Sequence, residues 1–267
     1  MKNLISCTVQ VLTRNSMPGI KACLESLAAF AEVLVQDGNS TDGTHELAAS
    51  FPNVRIIDQN KKLLDADGRI TDFAAMRNEG LQVATYDWFM HIDADEEIEE
   101  AFVQEIASIV EKNEQAAYRV FRRFTINGKR IELSAAYPAF QIRLFHRSVG
   151  DKYVKSVHER ISLKPGAAVH QCHTELLTPL PLPQLLEAKY QRYLRMEADR
   201  VKHISWWRWF RWIFLRNLLS SSMYVMRLAR IWLIPTKAMR LPLFYEWQFV
   251  RYSLQAIIYT IPGRQKQ

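Results

Sequence analysis

The sequence predicts an α/β fold, a mostly parallel or mixed sheet with helices on both faces, followed by a C-terminal amphipathic helical extension. Three observations lead there. From Leu4 to Asp93, short apolar runs alternate with stretches whose apolar residues recur at helical spacing. Polar and acidic residues gather where the apolar runs end, as they do at the carboxyl edge of a parallel sheet. From Arg200 onward the chain turns basic and aromatic, with basic and apolar residues falling largely on opposite sides of a helix.

At 267 residues the chain can bury a full core, and 48% hydrophobic with 24% charged residues is the composition of a folded protein. Three cysteines without CxxC spacing argue against a disulfide framework and a structural zinc site, and Cys7 and Cys172 read as small apolar fillers. Met1-Lys2-Asn3 runs directly into an alternating apolar segment, which reads as a first strand and not as a secretory leader. The expected location is therefore cytoplasmic.

Leu4–Leu12 is the first expected strand, and Ile20, Cys23, Leu24, Leu27 and Ala28 mark the helix that opens near Pro18. Val33-Leu34-Val35 is a short strand ending at Asp37. The turn Gly38-Asn39-Ser40-Thr41-Asp42-Gly43-Thr44 feeds a second helix, with Thr41 or Asp42 as its cap. Val54–Ile57 is a third strand, Phe73–Val83 a helix, and Trp88–Ile92 a fourth strand ending at Asp93. Farther on, Tyr118–Ile126 and Arg130–Ser134 flank Asn127-Gly128, a hairpin signal. Short strands at Gln141–Phe145 and Val169–His173 extend this mixed half. Pro179, Pro181 and Pro183 then stiffen the link to a helix over roughly Gln184–Lys202.

The chemistry centres on His91-Ile92-Asp93-Ala94-Asp95-Glu96-Glu97. Two carboxylates in D-x-D spacing at a strand end can share one ligand, and oxygen donors suit Mg²⁺ or Mn²⁺ with phosphate oxygens completing the shell. Such a metal neutralises a departing diphosphate. Alone, the spacing also fits solvated acids at a strand end. Asp37 falls at the same sheet edge, where it can accept from a base or ribose hydroxyl; Asp42 reads more readily as a helix cap.

Thr13-Arg14-Asn15, the run Asp37–Thr44, Ala75-Met76-Arg77-Asn78 and Asp93-Ala94-Asp95-Glu96 resemble, in that order, the motif series of family 2 glycosyltransferases. The likeness is strong over about residues 4–100 and weaker to about 195. The resemblance implies a GT-A fold of Rossmann type and an inverting enzyme. The bacterial branch that adds glucose or related sugars to lipopolysaccharide core is the most similar in flavour. It implies a UDP-sugar donor held by Asp37, with Asp93 near ribose and diphosphate, Asp95 (with Asp93) on the metal, and Arg77 bordering the nucleotide. Thr13, Arg14 and Asn15 line the same edge. Without the resemblance, Arg77 also reads as a helix-surface ion pair with Glu79 or Asp72.

An inverting transfer needs a carboxylate to take the acceptor proton. Val157-His158-Glu159 resembles the family's His-Glu element, giving Glu159 as base, His158 as its orienting or acceptor-binding neighbour, and Glu96 as reserve base. His170 is a candidate to complete the metal shell. His170 and His173 face opposite sides of a strand, so a zinc site with Cys172 needs a bend. Lys189-Tyr190-Gln191-Arg192-Tyr193 resembles the helix that follows. The expected division is a catalytic domain, 1–178, with a nucleotide-sugar half (1–98) and an acceptor half (99–178), then a helical region, 179–267.

The formal net charge of +7 is uneven: Arg200–Gln267 carries twelve Lys or Arg against Glu246 alone, leaving the remainder net acidic. Six of the seven tryptophans also lie there. On a single helical wheel Arg208, Arg211, Arg216, Arg227 and Arg230 cover an arc of about 160°. Phe210, Ile213, Phe214, Tyr224, Leu228, Ile231 and Trp232 fill much of the other side, with Trp212 and Leu219 among the arginines. This reads as an in-plane membrane surface over 206–262, cytoplasmic and peripheral, facing a lipid-linked saccharide acceptor. A homo-oligomer interface is the other use for it. A nucleotidyltransferase would want a basic, Gly-rich loop where Thr13-Arg14-Asn15-Ser16 stands. A nucleic-acid-binding module leaves Asp93 and Asp95 without a role, so no nucleic-acid partner is expected.

Overall fold

The computed structural model describes residues 4–262; Met1–Asn3 and Gly263–Gln267 lie outside the described residues. Its elements run β1 (Ile5–Thr13), α1 (Met17–Ser26), β2 (Phe30–Asp37), α2 (Thr44–Ala49), β3 (Val54–Asp58), α3 (Phe73–Val83), β4 (Trp88–Asp93) and α4 (Glu100–Lys112). Then come β5 (Ala117–Ile126), β6 (Lys129–Arg130), β7 (Phe140–His146), β8 (Gly150–Val154), β9 (Arg160–Leu163) and β10 (Val169–Pro179). The helices α5 (Pro183–Val201), α6 (Trp206–Trp209), α7 (Leu215–Leu233) and α8 (Leu243–Tyr259) follow, with a π-helical turn at Phe210–Phe214 between α6 and α7.

The main sheet has the order β10-β5-β7-β4-β1-β2-β3, with β6 hairpinned onto β5 and β8 paired separately with β9. Strands β3, β2, β1 and β4 are mutually parallel, whereas β7 runs antiparallel to β4 and β5. The predicted mixed α/β sheet is thus the observed one. Every residue from Cys7 to Val11 is buried, because helices cover both faces of the sheet. One face packs Val9, Val11, Val33 and Met90 under Ile20 and Leu24 of α1 and Phe102 and Ile106 of α4. Helix α4 and the pair β8–β9 were not among the sequence expectations.

On the other face α3 lies very close to the sheet. A β-carbon at Gly80 would stand 2.0 Å from Gln10 Nε2, so any larger residue here would force the Gln10 side chain to move. Gln10 Nε2 donates to Gln36 Oε1 at 2.9 Å under the helix, while Gln10 Oε1 is buried without a partner.

The chain divides into two compact units. The first holds the chain through Arg123 together with Phe140–Thr178; the second holds Phe124–Ala139 and everything from Pro179 onward. In the second, Phe124, Ile131, Leu186, Leu241 and Tyr245 form a separate apolar cluster. The hairpin segment Phe124–Ala139, counted in sequence with 99–178, contributes to that cluster. Within this unit Glu246 is buried, accepting from Ala135 N–H at 3.0 Å and from the Tyr224 hydroxyl. Trp209 is buried and donates from Nε1 to Thr260 Oγ1 at 3.1 Å.

The single-wheel reading of 208–232 needs correction. A π turn carries one extra residue, so positions after it are turned by about 100° relative to an unbroken α-helix. Moreover, Tyr224, Leu228 and Ile231 are the half-buried side of α7, and the Tyr224 ring stands 5.7 Å from that of Phe249 on α8. Of the apolar side assigned to a membrane, Tyr224, Leu228 and Ile231 are thus an internal packing face, while Phe210 and Trp232 are exposed. Among the described residues no helix is long and apolar enough to cross a membrane.

Candidate active site

The strand register sets the site. Thr13 pairs with Asp37, and Leu12 pairs with Asp93. Two inter-strand steps therefore put Asp37 and Asp93 about 10 Å apart at one carboxyl edge. Asp37 is buried; its Oδ2 accepts from Ser40 N–H at 3.0 Å and its Oδ1 from Ser40 Oγ at 2.6 Å. Those two bonds leave lone pairs on both oxygens. His45 Nδ1 lies 3.5 Å from Oδ2. Asn15, at positive φ, accepts from Thr41 N–H at 2.8 Å and ties the loop after β1 to the loop after β2. Asp42 takes the structural role: it accepts from Met17 N–H and Thr44 N–H, both at 3.0 Å, at the starts of α1 and α2. Arg14 is exposed and lies along Gly38, where a β-carbon would meet Arg14 Cβ at 3.0 Å.

Asp93 is clamped from behind. Arg77 Nη2 donates to its Oδ1 at 2.9 Å, and Arg143 Nη2 approaches Oδ2 at 3.5 Å. Its low-dielectric surroundings oppose the charge, but Arg143, Arg77 and Arg122 outweigh that and hold the carboxyl well below the usual carboxylate range. Arg77 is buried and pairs with neither Glu79 nor Asp72; it reaches Gln10 O at 3.3 Å and, through Nε, Glu159 Oε1 at 3.6 Å. Asp72 instead accepts from Ala75 N–H at 2.9 Å and caps α3. The neighbouring Asn78 exchanges two hydrogen bonds with the Tyr153 backbone, which fixes β8 beside α3.

Glu96 is fully buried. Its Oε1 accepts from Arg143 at 3.1 Å, Arg122 at 3.2 Å and Thr178 at 3.0 Å, and its Oε2 from Asp93 N–H at 3.1 Å. Three guanidiniums and three carboxylates (Arg77, Arg122 and Arg143 with Asp93, Glu96 and Glu159) thus interlock behind the strand ends. Sequence reasoning misses Arg122 and Arg143. The available signal is a charged residue in the apolar strand Ile142-Arg143-Leu144-Phe145. His91 is buried, 2.8 Å through Nδ1 from the Tyr153 hydroxyl. Burial, Arg143 and Arg77 hold it well below the ordinary histidine value, so it is neutral.

Asp95 is exposed, and the turn carrying it abuts α1: a β-carbon at Gly19 would lie 3.2 Å from Ala94 O. Glu159 is half-buried and His158 exposed, in a loop where Lys155 and His158 both adopt positive φ. The loop is anchored by Phe73 N–H donating to Ser156 O at 3.0 Å. His170 is not brought to this edge. It lies beside Glu114, with Nε2 at 3.1 Å, near the start of β10. Leu177, near the other end of that strand, bridges Glu97. Seven strand residues span about 23 Å, so His170 cannot complete a shell at Asp95. Cys172 is buried and His173 exposed, as alternation along β10 requires. Among the described residues no group of three His, Cys, Asp or Glu side chains forms a ready metal cage.

An acid-lined carboxyl edge on a parallel sheet, backed by fixed guanidiniums, is the arrangement of α/β proteins that bind their ligands at strand ends. Residues 8–162 match the family model described as Glycosyl transferase family 2, and the chain belongs to that family of sugar transferases. A TPR repeat-containing protein of Synechococcus elongatus is 27% identical over 196 residues, 72% of this chain and 45% of that one. The chain thus spans under half of that relative. The lipopolysaccharide core biosynthesis glycosyltransferase LpsC of Rhizobium meliloti is 24% identical over 194 residues, 71% of this chain and 69% of LpsC. The mannosyltransferase PcManGT from Pyrobaculum calidifontis, solved in complex with GDP-Man and Mn²⁺, shares the fold. It has a TM-score of 0.56 and 14% identity over 97% of this chain and 88% of that one.

Proposed function

We propose that the chain moves a hexose from a UDP-sugar to a hydroxyl of a lipid-linked saccharide, such as lipopolysaccharide core, by single-displacement inversion at the cytoplasmic membrane surface. One observation carries the reading: Arg77 touches both Asp93, at the donor edge, and Glu159, in the loop between β8 and β9. A base is thereby held at the donor edge, where an acceptor hydroxyl would approach C1 of the sugar. In this reading Glu159 takes the acceptor proton as the hydroxyl oxygen bonds to C1 of the sugar. The nucleoside diphosphate departs from the opposite face. Glu96, with both oxygens engaged, serves as the counter-ion that fixes Arg143 and Arg122 and gives up its place as reserve base. Asp37 receives the base or ribose through its remaining lone pairs, and Thr13, Arg14 and Asn15 border the phosphates.

The donor set fits Mn²⁺ or Mg²⁺ held by exposed Asp95 with phosphate oxygens and waters, since Mg²⁺ sites commonly use one or two carboxylates. Such an ion would neutralise charge on the leaving diphosphate. The likeness to LpsC supports a lipopolysaccharide-core acceptor. The basic, aromatic stretch 206–262 supports a membrane setting, where confinement raises the local concentration of a lipid-linked acceptor.

The test is nucleoside diphosphate release from UDP-, GDP- and dTDP-sugars with Mn²⁺ or Mg²⁺ and a membrane lipid extract as acceptor, wild type beside Asp95→Ala. Metal-dependent release from one UDP-sugar, lost in the variant, is expected. Equal release by both proteins, or none from any donor, overturns the reading.

A further inference from the structure

The outer side of α7 is apolar and uncovered. Leu233 is 83% exposed, Met226 64% and Leu219 62%; just before the helix, Trp207 is 74% and Trp212 62% exposed. Placed at 100° per residue from Leu215, the outward residues Leu215, Leu219, Met226 and Leu233 lie within about 40° of one line. The inward residues Tyr224, Leu228 and Ile231 lie about opposite, near 160–220°. Between the two, along one border only at about 60–120°, stand Arg230, Arg216 and Arg227, all exposed. This helix therefore has three zones: a packed seam, an uncovered apolar face and an arginine border.

The charge balance says what fits that face. From Arg200 onward the sole acidic residue is Glu246, which is buried. A second copy of the same helices therefore offers no counter-charge to Arg216, Arg227 and Arg230. Anionic lipid headgroups do, and they lie directly above the acyl region that Leu219, Met226 and Leu233 would enter. Arginine stems reach back to the headgroups while apolar neighbours sink below them, and tryptophans settle at the same level.

Resting on the membrane setting proposed above, we infer that the outer face of α7 is the docking surface. It lies flat in an anionic bilayer, with Trp207 and Trp212 at its leading end and the Arg216–Arg227–Arg230 border in the headgroups. The face that helical periodicity alone suggests, around Tyr224, Leu228 and Ile231, stays inside the protein.

The experiment is sedimentation of the full chain with vesicles of phosphatidylcholine containing phosphatidylglycerol, and with vesicles of phosphatidylcholine alone. Wild type should bind the anionic vesicles and bind the neutral ones much less. Leu219→Glu/Met226→Glu, on exposed positions, should lower binding at least about tenfold while far-ultraviolet dichroism stays unchanged. Arg216→Gln/Arg227→Gln/Arg230→Gln should abolish the preference for anionic vesicles. Unchanged binding in the Leu219/Met226 variant overturns the assignment. So does wild-type protein that ignores vesicles but forms a dimer dissolved by the same substitutions. Vesicle binding needs no donor, so Asp95→Ala should sediment like wild type; failure of the transferase reading and failure of this one are thereby read separately.

Discussion

At the scale of single residues, the two buried or half-buried glutamates near the site do different work, and the structure says why. Glu96 has both oxygens engaged by Arg143, Arg122, Thr178 and the Asp93 N–H, whereas Glu159 has one guanidinium at 3.6 Å and remains partly open. Losing one partner of a buried ion network strands the others without compensation. Glu96→Gln is therefore expected to destabilise the fold by about 3 kcal/mol, read as a lower urea midpoint. Glu159→Gln should lower the midpoint less than Glu96→Gln does, because Glu159 has a single guanidinium partner at 3.6 Å, and lower turnover at least about a hundredfold, as loss of a general base does. A Glu159→Gln protein with near-normal turnover removes Glu159 from the chemistry. The sequence singles out both residues by their neighbours. It does not separate them, because burial is a property of what packs above them.

At the scale of elements, α3 joins the sheet's interior to the site. Its motif Ala75-Met76-Arg77-Asn78 reads in sequence as one functional block, yet each residue faces a different partner. Met76 meets Gln36 through Sδ at 3.0 Å, Arg77 meets Asp93, and Asn78 meets Tyr153. That division requires α3 to sit low on the sheet, which Gly80 permits. Alanine is the better helix former by about 1 kcal/mol. Gly80→Ala should nevertheless destabilise by roughly 1–3 kcal/mol, because its methyl would land on Gln10. Thermal denaturation decides it: a raised midpoint would mean that helix propensity outweighs the clash. Helix α4 carries Phe102, Val103 and Ile106 at helical spacing, a pattern the sequence displays openly. The strands β8 and β9 are short and carry few apolar residues, so little in their pattern announces them.

At the scale of the whole molecule, acid should weaken the fold through buried histidine. His146 is buried against Trp88 with ring centroids 5.3 Å apart, and burial holds it below the ordinary value while Asp87 pulls the other way. A base whose folded pKa is depressed takes its proton first in the unfolded chain. Its contribution is full above the unfolded value of about 6.5 and declines as pH falls toward the folded value. One such group gives a slope of at most about 1.4 kcal/mol per pH unit. Urea midpoints measured from pH 7.5 down to 5.5 should fall, and His146→Phe should remove its share of the slope. A variant as pH-sensitive as wild type shows that other groups carry it.

The alternation of strand and helix, the placing of Asp37 and Asp93 at strand ends, and the concentration of arginine and tryptophan after Arg200 are legible in the chain alone. Those are local patterns, set by periodicities of two and 3.6 and by turn chemistry. Which charges meet is set by the packing of elements distant in the chain. Arg143 approaches Asp93, and Arg77 joins Asp93 to Glu159, across separations of 50, 16 and 82 residues along the chain. That packing also left His170 at the far end of β10 and turned Tyr224, Leu228 and Ile231, expected on a membrane face of α7, inward. Periodicity reveals that a helix has sides, but which side is covered depends on the element that packs against it.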